Sequence, residues 1–239
     1  MRIGPRDALL IIDVQKDFCP GGALAVPGGD EIAEGLGDLA AAFGTVVLSQ
    51  DWHPPAHASF ASQHVGRTPG EQVDLAYGAQ TLWPDHCVQG TAGAAFTDAL
   101  LASGAVDLAS AIVRKGMNPQ IDSYSAFFEN DQRTSTGLAG WLRDRGIDRV
   151  FVAGLAYDFC VGFTALDARS QGFEAVVIKD LSRGIGLPAL GGGTTIDQME
   201  RRFTEAEVVV VDSPALVSAN RPAASPPSNP APPTSFRPR

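Results

Sequence analysis

Cysteine is scarce in this chain: Cys19, Cys87 and Cys160 are the only three among 239 residues. An odd, dispersed set does not build a disulfide framework, which points to a reducing compartment, the cytoplasm. Basic residues are also short, with 18 Lys and Arg against 27 Asp and Glu and a net charge of -9. Nucleic acids and anionic membranes need a basic surface, so neither is expected as a partner. No stretch approaches the roughly 18 apolar residues that a membrane-spanning helix requires. The apolar run at residues 8–12 stops at Asp13, too early for the core of a signal peptide. Phosphate loops are missing as well. Neither Val26-Pro27-Gly28-Gly29 nor Gly191-Gly192-Gly193 has the glycine spacing of a dinucleotide or P-loop fingerprint.

What is there is the pattern of one sizeable α/β domain. Short apolar, β-branched runs occur at residues 8–12, 45–48, 110–114, 150–153, 174–178 and 207–211. Each has the length and composition of a strand buried on both faces. Stretches with helical spacing separate them: 30–43, with Asp30 as its N-cap, then 94–101, 137–145, 161–169 and 196–203. The alternation predicts a three-layer αβα sandwich with a mainly parallel six-stranded sheet and right-handed crossovers. Residues 1–212 are expected to form this domain. Residues 213–239 hold eight of the 17 prolines and no acidic residue, and read as a disordered tail outside the fold.

Three strands end on residues that can do chemistry. Asp13 follows the first and Lys115 the third. Cys160 lies a turn beyond the strand at 150–153, in the first turn of the following helix. In a parallel sheet these ends share one edge, where functional groups gather. A helix start and a lysine both favour a thiolate, and an acid near a thiol can take its proton. Singly, each has a plainer reading: a capping aspartate, a solvated lysine, a small buried thiol. A second constellation lies in the long irregular stretch 52–93, which holds all four histidines. Asp51 and His53 project to the same side of an extended segment, with His57 and His86 further on. One carboxylate with two or three imidazoles suits a divalent transition ion, zinc, iron or manganese. His64 reads as a surface histidine, and Cys19 and Cys87 as buried packing.

Six segments carry a family resemblance in chain order. They are Asp13-Val-Gln-Lys-Asp-Phe18, Ser49-Gln-Asp-Trp-His-Pro54, Leu82-Trp-Pro-Asp-His-Cys-Val-Gln-Gly-Thr91, Arg114-Lys-Gly-Met117, Asp122-Ser-Tyr-Ser-Ala-Phe127 and Gly154-Leu-Ala-Tyr-Asp-Phe-Cys-Val161. The series resembles that of the nicotinamidases, members of the isochorismatase-like cysteine hydrolases, and covers residues 8–211. The resemblance implies the isochorismatase-like hydrolase fold and an amidase converting nicotinamide to nicotinic acid and ammonia. That reaction belongs to NAD salvage, and pyrazinamide is expected as a second substrate. It further implies Asp13 as general base, Lys115 as charge partner and Cys160 as nucleophile. Asp51, His53 and His86 would ligate one divalent metal, with His57 a ligand in some relatives. A cis peptide before Ala156 would aim its N–H, with that of Cys160, into an oxyanion hole. Phe18, Trp83 and Tyr124 fall where the family lines its ring pocket.

Two other readings stand beside this one: a related hydrolase of the same fold acting on another small amide or carbamoyl compound, and a catalytically silent metal-binding protein. The Asp-x-His motif with a later histidine speaks against the first, and the full set Asp13, Lys115 and Cys160 against the second. The segment 186–193, Gly-Leu-Pro-Ala-Leu-Gly-Gly-Gly, departs from the family pattern, and its role is open. Whether the chain is a monomer or a homo-oligomer is open too.

Overall fold

The run at 8–12 lies within β1 (Asp7–Ile12), buried along its whole length. In the computed structural model, which describes residues 1–189 and 191–216, β1 is flanked by two strands buried almost throughout, β2 (Val46–Asp51) and β6 (Arg149–Leu155). Such continuous burial suits a parallel sheet covered on both faces. The remaining strands are β5 (Ala111–Lys115), β7 (Glu174–Arg183) and β8 (Val209–Val211), in the order β5-β2-β1-β6-β7-β8. Every pairing in this sheet is parallel.

Five helices connect the strands: α1 (Ala33–Ala40), α2 (Asp98–Ala102), α3 (Leu138–Asp144), α4 (Gly162–Ser170) and α5 (Thr195–Glu205). From β1 through β2 to β5 the chain moves outward in one direction; from β6 through β7 to β8 it moves in the other. With right-handed crossovers, α1 and α2 fall on one face and α3, α4 and α5 on the opposite face. The order reverses between β1 and β6, the place where open α/β sheets bind ligands. Register brings Ile12 opposite Gly154 at this switch point, and Asp51 opposite Lys115 next to it. Gly154 is required there: at φ 124° a Cβ would lie 2.2 Å from the Ile12 carbonyl oxygen.

Several boundaries differ from the sequence reading, each for a local reason. The first helix begins at Ala33 without a side-chain cap from Asp30, and Gly35 and Gly37 weaken its propensity. Thr97 accepts a hydrogen bond from Leu100 N–H at 3.1 Å and starts α2 there, leaving residues 94–96 outside the helix. Cys160 lies in a single π-helical turn, Tyr157–Val161, ahead of α4 rather than within it. The stretch read as irregular contains an antiparallel hairpin, β3 (Gln72–Leu75) with β4 (Gly78–Thr81). The chain stays packed beyond residue 212, for the Ser213 hydroxyl donates to Asp180 at 2.6 Å and Leu216 is buried. The rest of the expected tail lies outside the described residues. Among those described, no helix is long and apolar enough to cross a membrane.

Candidate active site

β1 delivers Asp13, β5 delivers Lys115, and the turn after β6 delivers Cys160 to one edge of the sheet. All three are buried. Asp13 has a left-handed backbone, φ 49°, an uncommon state for a residue other than glycine and one that clusters at functional sites. Its Oδ1 accepts the Ser49 hydroxyl at 2.6 Å. The Lys115 ammonium spends its three donors on Asp51 Oδ1 at 2.5 Å, the Ser123 carbonyl at 2.9 Å and Cys160 Sγ at 3.3 Å. Its Nζ also lies 2.8 Å from Asp13 Oδ2 as an ion pair, yet that oxygen has no hydrogen bond. A buried carboxylate oxygen held by charge, with a free lone pair, is a poised proton acceptor. Oxygens of Asp13 and Asp51 and the Cys160 sulfur lie within 4.8 Å of one another.

The electrostatics match that reading. Burial raises the Asp13 pKa above its ordinary value, and Lys115 only partly offsets this. Burial also pushes the Cys160 thiol well up against the pull of Lys115, with Asp13 and Asp51 adding to the rise. Burial alone would lower Lys115, but Asp13, Asp51 and Cys160 together hold it well above its ordinary value. The site therefore sets a thiol and an acid whose pKa values are both raised by burial beside one ammonium. Lys115 donates to Cys160 and to neither Cys19 nor Cys87. Burial and Asp30 push Cys19 up to about 11, and burial with nearby carboxylates pushes Cys87 well above its usual value.

The other oxygen of Asp51, Oδ2, faces His53 Nε2 at 3.6 Å and His86 Nε2 at 3.8 Å. The far nitrogens of both rings, Nδ1, meet backbone carbonyls: Gly116 O at 2.9 Å and Pro84 O at 2.8 Å. Carbonyls only accept, so each Nδ1 carries the hydrogen, and in the neutral ring each Nε2 turns its lone pair inward. One carboxylate and two imidazoles tautomerised this way fit a divalent ion. Gly116 makes the arrangement possible, since a Cβ there would lie 2.4 Å from His53 Cε1. His57 is buried but does not join this set. Its Nδ1 pairs with the Ser59 hydroxyl at 2.8 Å, its Nε2 lies 3.4 Å from the Ile121 carbonyl, and it groups instead with His53 and Asp122. His64 is only partly exposed, and its Nε2–H donates to the Ala58 carbonyl at 2.8 Å.

The isochorismatase domain family matches residues 7–189. The chain belongs to the isochorismatase family. The nicotinamidase of Acinetobacter baylyi is 50% identical over 182 residues, 75% of this chain and 82% of its own length. That of Escherichia coli is 50% identical over 189 residues, 77% and 85% of the two chains. Among solved structures, a nicotinamidase/pyrazinamidase from Acinetobacter baumanii superposes with a TM-score of 0.83 at 47% identity, covering 89% of this chain and 98% of its own. An L. infantum protein in complex with nicotinate gives 0.76 at 40% identity, covering 91% and 98%. A Pyrococcus horikoshii pyrazinamidase in complex with zinc gives 0.65 at 30% identity, covering 87% and 99%.

In this member of the isochorismatase family, one cavity joins the two constellations. It is bordered by Cys160 and Ala156 on one side, by Asp51 and His86 on another, and by Phe18, Trp83 and Tyr124. The Leu155–Ala156 peptide is cis. The aromatic walls are braced: Trp83 Nε1–H donates to the Tyr124 hydroxyl at 3.2 Å, and the Trp83 and Phe159 rings meet edge-on at 5.0 Å. The structure adds residues that sequence reasoning passed over. Gln15, fully buried, donates to the Asp51 carbonyl at 2.9 Å and accepts from the Asp51 N–H at 2.8 Å, extending the backbone ladder with a side-chain amide. Gln80 on β4 donates to Asp122 at 2.8 Å and to the Tyr124 hydroxyl at 3.1 Å, tying the hairpin to the pocket. Phe159 and Ile185 complete the wall beside Cys160. Gln15 and Phe159 left a trace in the sequence, as residues inside the first and last motifs.

Proposed function

We propose that this protein is a metal-dependent nicotinamidase, which hydrolyses nicotinamide to nicotinate and ammonia through a thioester on Cys160. The observation that carries the reading is the junction at Lys115, whose Nζ touches Cys160 Sγ at 3.3 Å and Asp13 at 2.8 Å where Cys160 borders an aromatic cavity. Half-identical relatives named nicotinamidases support the same substrate.

Asp13 takes the thiol proton through its free oxygen, and Lys115 holds the charge that moves onto sulfur. Sulfur attacks the amide carbon, and the carbonyl oxygen becomes an oxyanion facing the N–H groups of Ala156 and Cys160. Such a donor contributes about 10²–10³ in rate. Asp13 then returns the proton to the departing nitrogen, which leaves as ammonia. A water molecule, deprotonated by Asp13, opens the thioester and nicotinate departs. Phe18, Trp83 and Tyr124 enclose the flat ring. A divalent ion on Asp51, His53 and His86, when bound, supplies a Lewis-acid partner for the pyridine nitrogen. Pyrazinamide, with a ring nitrogen in the same place, is expected to be hydrolysed as well.

The test is ammonia release from nicotinamide, pyrazinamide and a set of carbamoyl amides by purified protein, with Cys160→Ala as control. Preferential turnover of the pyridine amide, lost in the variant, is the expected result. Turnover of carbamoyl amides alone, or activity persisting without the thiol, would sink the proposal.

A further inference from the structure

The segment after β7, whose sequence departs from the family pattern, is fastened to the nucleophile turn by one buried carboxylate. Asp158 stands two residues before Cys160 in the π-helical turn and is 2% exposed. No cation pairs with it among the described residues. Its partners come from the strap that follows β7 and from Thr195, the first residue of α5. Oδ1 accepts the Ile185 N–H at 2.9 Å, Oδ2 accepts the Gly186 N–H at 2.9 Å, and Oδ2 also takes the Thr195 hydroxyl. The strap doubles back on itself, with an antiparallel bridge between Pro188 and Thr194 and a bond from Thr195 N–H to the Leu187 carbonyl at 2.8 Å. One carboxylate therefore gathers both legs of the loop. A Cβ at Gly184 would come within 3.0 Å of Asp158 Oδ1, so the approach is close as well as bonded.

The consequence lies at Ile185, which borders the cavity beside Cys160, Ala156 and Phe159. Its neighbours Leu187 and Pro188 line the outer groove that meets this cavity at Tyr124 and Phe159. Hydrogen bonds to an ionised acceptor are roughly twice as strong as neutral ones, so three of them make the strap and the turn one body.

We propose that Asp158 is a positioning residue that sets the pocket wall at Ile185, and so decides which ring amides reach Cys160. The choice of pyridine amides as probes rests on the function proposed above; the wall itself does not. An asparagine at 158 keeps one acceptor but turns an NH2 group toward a backbone N–H, whereas Thr195→Val removes a single donor and keeps the charge.

The experiment compares wild type, Asp158→Asn, Thr195→Val and Ile185→Ala by two readouts. The first is the rate at which Cys160 is alkylated by iodoacetamide and by a bulkier N-benzyl haloacetamide, which needs no amidase activity. The second is kcat and KM for nicotinamide and a ring-methylated nicotinamide. The bulky reagent should gain about tenfold over the small one in all three variants, while alkylation by iodoacetamide stays within about twofold. For Asp158→Asn and Thr195→Val, KM for nicotinamide should rise with kcat nearly unchanged, and discrimination against the methylated ring should fall about tenfold. Should Asp158→Asn not fold, Thr195→Val and Ile185→Ala carry the test. Alkylation by both reagents slowing in step, or size selectivity unchanged in the variants, would overturn the proposal. A wild type that releases no ammonia from either amide would instead refute the nicotinamidase reading, leaving the alkylation ratio to judge the wall.

Discussion

Replacing Lys115 with methionine tests the site most sharply, because the side chain length is kept while the charge and its three donors are removed. The Nζ lies 3.3 Å from Cys160 Sγ. At an effective dielectric of about 20, a unit charge at that distance is worth about 5 kcal/mol to a thiolate. That corresponds to between three and four powers of ten in the thiol–thiolate equilibrium, at about 1.4 kcal/mol each. Removing the cation disfavours the anion, so the Cys160 pKa rises further and kcat/KM for nicotinamide should fall by about a thousandfold or more.

The same substitution leaves Asp13 and Asp51 buried without their counter-charge. Breaking a buried pair in this way costs about 3–5 kcal/mol of stability. Asp13 can relieve part of that by binding a proton, as its raised pKa already favours. The assays are ammonia release, urea unfolding, and the pH dependence of Cys160 alkylation by iodoacetamide, with metal content measured on the same sample. The alkylation profile should move to higher pH while the fold persists. A folded methionine variant keeping about a tenth of wild-type kcat/KM would correspond to only 1.4 kcal/mol and would refute the electrostatic role.

Other outcomes follow from the same geometry. The proposed mechanism needs Asp13 as carboxylate, and burial raises its pKa, so kcat/KM should decline as pH falls, with an acid limb above the ordinary value of about 3.9; a limb at or below that value would show that Asp13 is not the base. Chelation should abolish turnover and an added divalent ion restore it, with metal content falling more for His86→Ala than for His57→Ala, since only His86 faces Asp51. Equal losses in the two variants would bring His57 into the ligand set. His57 is held down to about 4 by burial and the neighbouring His53. The unfolded chain takes up that proton near 6.5, so stability should fall as pH drops from about 6.5 towards 4. His57→Gln should flatten that slope in urea titrations of metal-free protein, and an unchanged slope would assign it to other groups.

The sheet was legible because its central strands are buried on both faces and read as unbroken apolar runs, from Leu9 to Ile12 and from Val150 to Ala153. The edge strands β5 and β8, read in the same way, are instead partly exposed because no further strand covers their outer side. The helices were less legible. Their starts are decided by single caps and by glycines, as at Thr97 and in the α1 sequence, and their lengths by what they meet. The hairpin Gln72–Leu75 with Gly78–Thr81 escaped notice for a different reason. Gln72-Val73-Asp74-Leu75 does alternate, but over only four residues and at most half-buried, and Gly78–Thr81 has no apolar alternation to match it. Gln80 is buried for hydrogen bonding rather than for hydrophobicity, and hydropathy is blind to that. The same holds for Gln15 and Asp158, whose value lies in which backbone groups they grip. Those partners lie between 27 and 79 residues away in sequence.

Sequence reading divided the site into a nucleophile centre and a metal centre, and Asp51 shows why that division fails in three dimensions. Its Oδ1 receives Lys115 at 2.5 Å, while its Oδ2 faces His53 and His86. The sharing is a matter of register: Asp51 and Lys115 are Cα partners at the ends of adjacent parallel strands, β2 and β5, which 59 intervening residues separate. Their contact could not be read without knowing that β5 lies on the outer side of β2. A carboxylate used on both oxygens cannot rotate to serve one centre without releasing the other. Gln15 holds its backbone at both the N–H and the carbonyl, which closes off the alternative of moving the strand end. The position of the Lys115 ammonium, and with it the charge felt by Cys160, is therefore fixed by the residue that also shapes the ligand set. The two halves of the chemistry are set by one side chain.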